Sequence, residues 1–384
     1  MRFAGAAKRV WLKRVGLVLG GLVVGLGIAE SVGRVDGLAR GNDLVFMAPM
    51  SYPQDIYVMG GGMNYPNPGF RGTIRSFGYS VKPRFSSWGT RGAEPTKGVR
   101  TWLSLGDSFT IALQVEEEQT YSARLAASEG VQVLNAGVDG YSTWKEGLRA
   151  VQLGRNFPAE LVLITFFTGN DYFDNRQVVN QPVSEVPLGP GEPGAPPFSL
   201  PVIGAIGPVT PAWVKFIRDH SVIAAHYWSW AETRRARSGT GPTARRFRDE
   251  LRLFTTEGSA SAGRDLASTE AALRYAKGAA DALRARIVVA VVPPALVMDA
   301  DVATRTFRSV GLDGATPDLD AAQKLAVDAA RSAGTEVCDL LPALRAASDA
   351  GERPYLPFDG HLSVRGHEVV AAQVARCVAA GAPR

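Results

Sequence analysis

The sequence predicts an α/β fold: a parallel, doubly wound sheet covered by helices on both faces, preceded by an N-terminal transmembrane helix. Three observations predict it. From about residue 99 onward, apolar runs bounded by turn residues alternate with helical stretches. Those runs are continuous rather than alternating, as in strands buried on both sides. Near the N-terminus, an uncharged Leu/Val/Gly-rich segment follows a basic cluster.

That N-terminal segment comes first. Arg2, Lys8, Arg9, Lys13 and Arg14 precede Val15 to Ala29, which carries no charge. Fifteen residues span only about 22 Å at about 1.5 Å per residue, less than a hydrocarbon core of about 30 Å. Snorkelling by Lys13 and Arg14 lets Val10, Trp11 and Leu12 lengthen the span. The pattern after Gly27 lacks an A-x-A cleavage signal, which favours a retained signal anchor over a secretory peptide that is cut. A buried soluble helix leaves the five leading basic residues unexplained. The expected layout is a cytoplasmic basic tail over 1–14 and an anchor over 15–35, with everything beyond about residue 35 outside the cytoplasmic (inner) membrane.

The net charge of +5 resides in this region, since the first 40 residues hold seven basic and two acidic ones. The remainder is near neutral and has no basic stripe, so no nucleic-acid partner is expected. The two cysteines, Cys338 and Cys377, fall in a predicted strand and in the last predicted helix. Two readings stand for them: a disulfide in an oxidising compartment, or two inert buried thiols.

Residues 36–98 form an irregular, Gly- and Pro-rich leader, with short strands expected over Ile74 to Val81 on the domain edge. The main domain, 99–384, then runs through strands at Arg100 to Leu105, Val131 to Leu134, Leu161 to Phe167, Arg286 to Val292 and Glu336 to Leu340. Helices are expected from Thr110 to Ser128, Trp144 to Arg155, Thr269 to Ala285, Leu319 to Ser332 and Gly366 to Ala379. The rhythm breaks at about 176–248, where Val183 to Pro211 is Pro/Gly-rich and Trp213 to Arg237 is aromatic and basic. This insertion reads as a surface elaboration, a substrate lid or a membrane-facing flap.

Four short motifs punctuate the domain, in order: Gly106-Asp107-Ser108, then Asn135-Ala-Gly137-Val-Asp-Gly140, then Gly169-Asn170-Asp171, and finally Asp359-Gly360-His361. Read singly, each has an ordinary explanation as a helix cap, a turn glycine or an Asx turn. Three of them end predicted strands, and the carboxyl ends of neighbouring strands in a doubly wound sheet meet in one crevice. There Ser108 can attack an acyl carbon while His361 takes its proton and Asp359 orients the imidazole. The N–H groups of Ser108 and Gly140, with the Asn170 amide, can hold the oxyanion, each donor worth about 3 kcal/mol in the transition state. Of four histidines, His220 and His226 lie in the insertion and His367 inside the last helix, leaving His361 as the base.

The series resembles the SGNH (GDSL-like) hydrolase superfamily, whose blocks carry Ser, Gly, Asn and His. The resemblance covers about 99–177 and 286–379. It implies a three-layer α/β/α sandwich, and ester hydrolysis or acyl transfer that needs neither metal nor other cofactor. One departure stands out: a single residue separates Asp359 from His361 where the family usually has two. That tighter spacing looks like relatives acting on envelope or exported polysaccharides, acetyltransferases included. A glycine soon after Ser108, present in many relatives, is also missing here. The expected protein is a serine esterase or O-acyltransferase, handling an acetyl or other acyl ester on a carbohydrate or lipid outside the cytoplasm. The alternative is a non-catalytic carbohydrate-binding or envelope-assembly protein on the same fold. Nothing outlines a peptide-binding strand, which argues against a peptidase.

Overall fold

The computed structural model describes residues 2–40, 53, 55–60, 63–76, 78–180, 212–237, 242–357 and 359–381. The Pro/Gly-rich 183–211 part of the insertion lies outside these residues. Helix α1 (Arg2–Arg40) is followed by two hairpins, β1 (Tyr57–Gly60) with β2 (Met63–Pro66) and β3 (Ile74–Ser76) with β4 (Tyr79–Val81). Then come β5 (Thr101–Gly106), α2 (Ser108–Ile111), α3 (Tyr121–Glu129), β6 (Gln132–Asn135), α4 (Thr143–Gly154), β7 (Leu161–Phe167) and α5 (Asp171–Asn180). Beyond them lie α6 (Ala212–His220), α7 (Val222–Arg237), α8 (Pro242–Leu251), α9 (Thr256–Ala260) and α10 (Gly263–Ala282). The chain closes with β8 (Arg286–Val292), α11 (Ala300–Ser309), α12 (Ala321–Ser332), β9 (Glu336–Asp339), α13 (Leu341–Asp349) and α14 (Val364–Ala380).

Five strands form one sheet in the order β6-β5-β7-β8-β9, and every pair is parallel. Side chains alternate across it with the strand period of two. On one face Leu103, Leu105, Val162, Ile164, Val289 and Val291 pack against α4, α10 and α12. On the other, Trp102, Leu161, Leu163, Val288 and Ala290 pack against α3 and α14. The result is the three-layer α/β/α sandwich. Alanines at helical spacing, Ala272/Ala276/Ala280 and Ala322/Ala326/Ala330, give α10 and α12 flat faces against the sheet. Because β6 lies to one side of β5 and β7 to the other, the chain reverses direction between β5 and β7. A crevice opens there at the carboxyl ends of the strands.

Two expectations need correction. The helix expected from Thr110 to Ser128 is broken: α2 stops at Ile111, where Ala112 adopts φ +53°, and α3 starts only at Tyr121. The buried Arg91 guanidinium binds the carbonyls of Ile111, Ala112 and Val115, satisfying the acceptors that the helix end leaves over. Helix α10 also begins at Gly263, ahead of the expected Thr269. Its first turn carries Asp265, which pairs with Arg176 and Arg252 rather than showing an apolar period.

The leader is tied into the sandwich. Ile56, Phe70, Ile74 and Phe85 share a core with Ile111 and Leu113. Fully buried Arg149 donates to the carbonyls of Trp88 and Gly89 at 2.6 and 3.1 Å. Cys338 on β9 and Cys377 on α14 are joined as a disulfide, their Cα atoms 5.7 Å apart. Within α1 the stretch Trp11–Val35, 25 residues, is long and apolar enough to cross a membrane.

Candidate active site

The site is built on the crevice between β5 and β7. The Asp107 carboxylate caps α2 by accepting the Phe109 N–H at 2.9 Å, so this residue is the helix cap that its type suggests. Capping fixes the sharp exit from β5 and turns Ser108 toward the crevice. Its Oγ lies 2.8 Å from Nε2 of His361, 253 residues away in sequence. His361 Nδ1 donates to Asp359 Oδ1, and its backbone N–H reaches the same oxygen at 3.2 Å. With Nδ1 carrying the proton, Nε2 is left as the acceptor for the serine hydroxyl. The other carboxylate oxygen of Asp359 accepts the Tyr79 hydroxyl at 2.7 Å.

The loop bearing Asp359 and His361 is held at both ends. Leu356 N–H bonds to the His361 carbonyl at 2.8 Å, and the Ser363 hydroxyl caps α14 through Gly366 N–H. Phe109 stacks on Phe167 at 3.9 Å and packs against the His361 ring at 4.9 Å, so aromatic faces shield the imidazole. Burial lowers the imidazole's affinity for a proton, but the Asp359 charge and hydrogen bond outweigh it and raise the His361 pKa. Burial in turn raises the Asp359 pKa, and the bonds from His361 and Tyr79 more than reverse that.

Ser108, Asn170, Asp359 and His361 all line one cavity of about 570 Å³. Its walls are mainly apolar, with Phe167, Phe247, Leu296, Met298 and Val302, while Arg246 and Glu250 supply charge. The buried Asn170 Oδ1 has no hydrogen-bond partner.

Gly140 does not line this cavity and is exposed. Its glycine is required by φ +70°, since a Cβ there would meet nothing within 4 Å. The glycine of that block that permits close approach is Gly137, where a Cβ would fall 2.3 Å from the Ile111 nitrogen.

A second group of acids gathers about Asp107; Asp107 and Asp171 belong to the quoted motifs, and no sequence signal marks the third, Glu146. Asp107, Glu146 and Asp171 are fully buried, and both Glu146 oxygens and one oxygen each of Asp107 and Asp171 lack partners. Burial pushes Asp107 up to about 7, and burial plus mutual repulsion pushes Glu146 and Asp171 well above the usual carboxylate range. Among the described residues, no cluster of His, Cys, Asp and Glu is arranged to hold a metal ion.

Tyr79 was also missed. It lies 280 residues from Asp359, and no local signal in the leader marks it.

Residues 252–383 match the model of the SGNH hydrolase-like domain, acetyltransferase AlgX. No curated protein matches the chain. Among solved structures it is similar to TesA, at 14% identity, covering 73% of this chain and 98% of that one with a TM-score of 0.35. A catalytic mutant of Axe2, an acetylxylan esterase from Geobacillus stearothermophilus, is 13% identical over 74% and 96% of the two chains, with a TM-score of 0.37. LAE5, an α/β hydrolase from the metagenome of Lake Arreo in Spain, is 11% identical over 75% and 99%, with a TM-score of 0.33. Overlaps this partial carry no argument about activity. Residues 252–383 are thus similar to an SGNH hydrolase-like domain, and the parallel five-stranded sheet with helices on both faces is the sandwich that such a domain needs.

Proposed function

We propose that the protein is a membrane-anchored serine esterase or O-acyltransferase that acts outside the cytoplasm on an acylated carbohydrate or lipid, with acetyl as the first acyl group to test. The observation that carries this reading is the hydrogen-bonded line Ser108–His361–Asp359–Tyr79 opening onto one cavity. Ser108 Oγ attacks the ester carbonyl while His361 Nε2 takes its proton. The negative charge that develops on the carbonyl oxygen is held by the Ser108 N–H and the Asn170 amide, the two expected donors whose residues line the cavity. Collapse releases the alcohol, which takes the proton from His361. Water or an acceptor alcohol then resolves the acyl-enzyme by the reverse path. The cavity of about 570 Å³ is larger than an acetyl group needs and leaves room for the alcohol portion of the substrate.

Two features favour the anchor over a cleaved signal and the exterior over the cytoplasm. The Glu30 carboxylate of α1 accepts the N–H groups of Val222 and Ile223 at the start of α7, at 2.8 and 3.2 Å. A segment destined for removal has no reason to be built into the fold in this way. The Cys338–Cys377 disulfide suits an oxidising compartment.

The test is Ser108→Ala in the full chain. Turnover of a nitrophenyl acetate is expected to fall at least about 10³-fold, and labelling by a fluorophosphonate to vanish. Unchanged turnover removes Ser108 from the chemistry. Polysaccharide binding by a wild-type protein that neither labels nor turns over ester would instead favour a binding or assembly role.

A further inference from the structure

The helices α6 and α7 leave an apolar surface uncovered. On α6, Trp213, Phe216 and Ile217 stand at i, i+3 and i+4 and are 68, 63 and 45% exposed. On α7, Tyr227 and Trp230 stand at i and i+3 and are 66 and 55% exposed. Outside α1, these make up most of the large exposed hydrophobic side chains among the described residues. Trp and Tyr predominate, the residue types that concentrate at the headgroup level of a bilayer, where an apolar ring meets a wet edge. The Arg234 guanidinium sits 5.6 Å over the Trp230 ring, adding a cation at that edge.

The position of this surface relative to α1 is fixed. Glu30 binds the first N–H groups of α7 and the Ser221 hydroxyl, at 2.8 Å for the latter. Arg34 donates to the His220 carbonyl. Gly33 abuts Val222, and a Cβ on it would come within 2.8 Å of that side chain. All these contacts fall on the last turns of the Trp11–Val35 stretch. From Lys13 to Glu30 an α-helix rises about 25 Å, close to the depth of a hydrocarbon core of about 30 Å. With Lys13 and Arg14 at the inner boundary, the α6–α7 turn therefore sits at the outer one.

We propose that α6 and α7 form a platform lying in the headgroup–acyl boundary of the outer leaflet, with Trp213, Phe216, Ile217, Tyr227 and Trp230 as its embedded face. This rests on the anchored reading of α1. Helix α7 also packs against α8 and α11, which contribute Arg246, Phe247, Glu250, Val302 and Thr306 to the cavity wall. The platform thus couples the wall of the catalytic cavity to the bilayer surface, so that the ester to be cleaved or transferred is met at the membrane rather than in bulk solution.

The test uses the full chain in vesicles of phosphatidylcholine and phosphatidylglycerol carrying bromines at acyl positions 4,5 or 11,12, and reads tryptophan emission. The wild type is compared with a Trp213→Phe/Trp230→Phe variant and, separately, with Trp11→Phe. The emission lost on replacing Trp213 and Trp230 is expected to be quenched about twofold or more by the shallow bromines, and less by the deep ones. Quenching of Trp11 without quenching of Trp213 and Trp230 overturns the platform and leaves the anchor. That result assigns the apolar face to residues 181–211, to a second copy or to another protein. No quenching at either place overturns the anchor as well. Near-ultraviolet circular dichroism checks that the exposed Trp→Phe changes leave the fold intact; if the double variant is perturbed, Trp213→Phe and Trp230→Phe are read singly by the same criterion.

Discussion

Two sets of buried carboxyl groups flank Ser108, and the fold treats them in opposite ways. On one side, Asp359 is almost wholly buried yet held below the usual carboxylate range, because His361 and Tyr79 both bond to it. On the other, Asp107, Glu146 and Asp171 are equally buried and are pushed upward, Asp107 to about 7, because their free oxygens find no cation or donor. Burial alone disfavours charge; a placed partner is what restores it. The histidines repeat the lesson. His361, beside Asp359, is raised, whereas His367, buried near Arg91 and Arg124 and accepting the Tyr121 N–H at 3.3 Å, is pushed down to about 3.

The comparison breaks hardest at Asp359. Asp359→Asn keeps the shape and removes the charge, and kcat/KM is expected to fall about 10²- to 10⁴-fold. With that charge gone, burial lowers the His361 pKa, so the acid limb of the kcat/KM profile should move to lower pH; a limb that stays put means Asp359 does not set it.

Tyr79→Phe removes one bond to the same carboxylate. A loss of roughly tenfold in kcat/KM is expected, within the range for a hydrogen bond to a charged group. No loss makes the phenol structural only.

Glu146→Gln tests the other side and should leave kcat/KM within about threefold, since one neutral group replaces another. Its effect is on stability. A folded pKa raised above the unfolded value contributes stability that is fully present below the unfolded pKa, near 4.5, and lost as pH rises through the folded one. The Gln variant should therefore gain stability relative to the wild type as the pH is raised from 4 to 8, read as a difference in thermal midpoint that grows with pH. An equal difference in thermal midpoint at both pH values would show Glu146 to be paired and charged.

Much of this architecture was readable from local signals. The limits expected for β7 and β8, Leu161 to Phe167 and Arg286 to Val292, coincide with those observed. Both are apolar runs closed by turn residues, and central parallel strands produce that pattern. The break after Ile111 was not readable, because it depends on Arg91, a residue twenty positions away that collects the freed carbonyls. The sequence places the Gly140 N–H among the oxyanion donors; in the structure Gly140 stands off the cavity lining, and its φ of +70° accounts for the glycine. Tyr79 and Glu146 carry no motif: one lies in a hairpin of the leader, the other on the buried stripe of α4, and only tertiary packing brings them near Ser108.

The hydroxyl of Tyr79 also bears on where this protein can be cut. A fragment beginning at residue 99 would retain the serine, the imidazole and the aspartate, and every strand of the sheet. It would lack the phenol that steadies the aspartate and the guanidinium of Arg91 that closes the first helical turn. The smallest portion able to work on its own therefore starts upstream of the second hairpin, Ile74 to Val81, and recombinant versions trimmed to the sandwich should be sluggish.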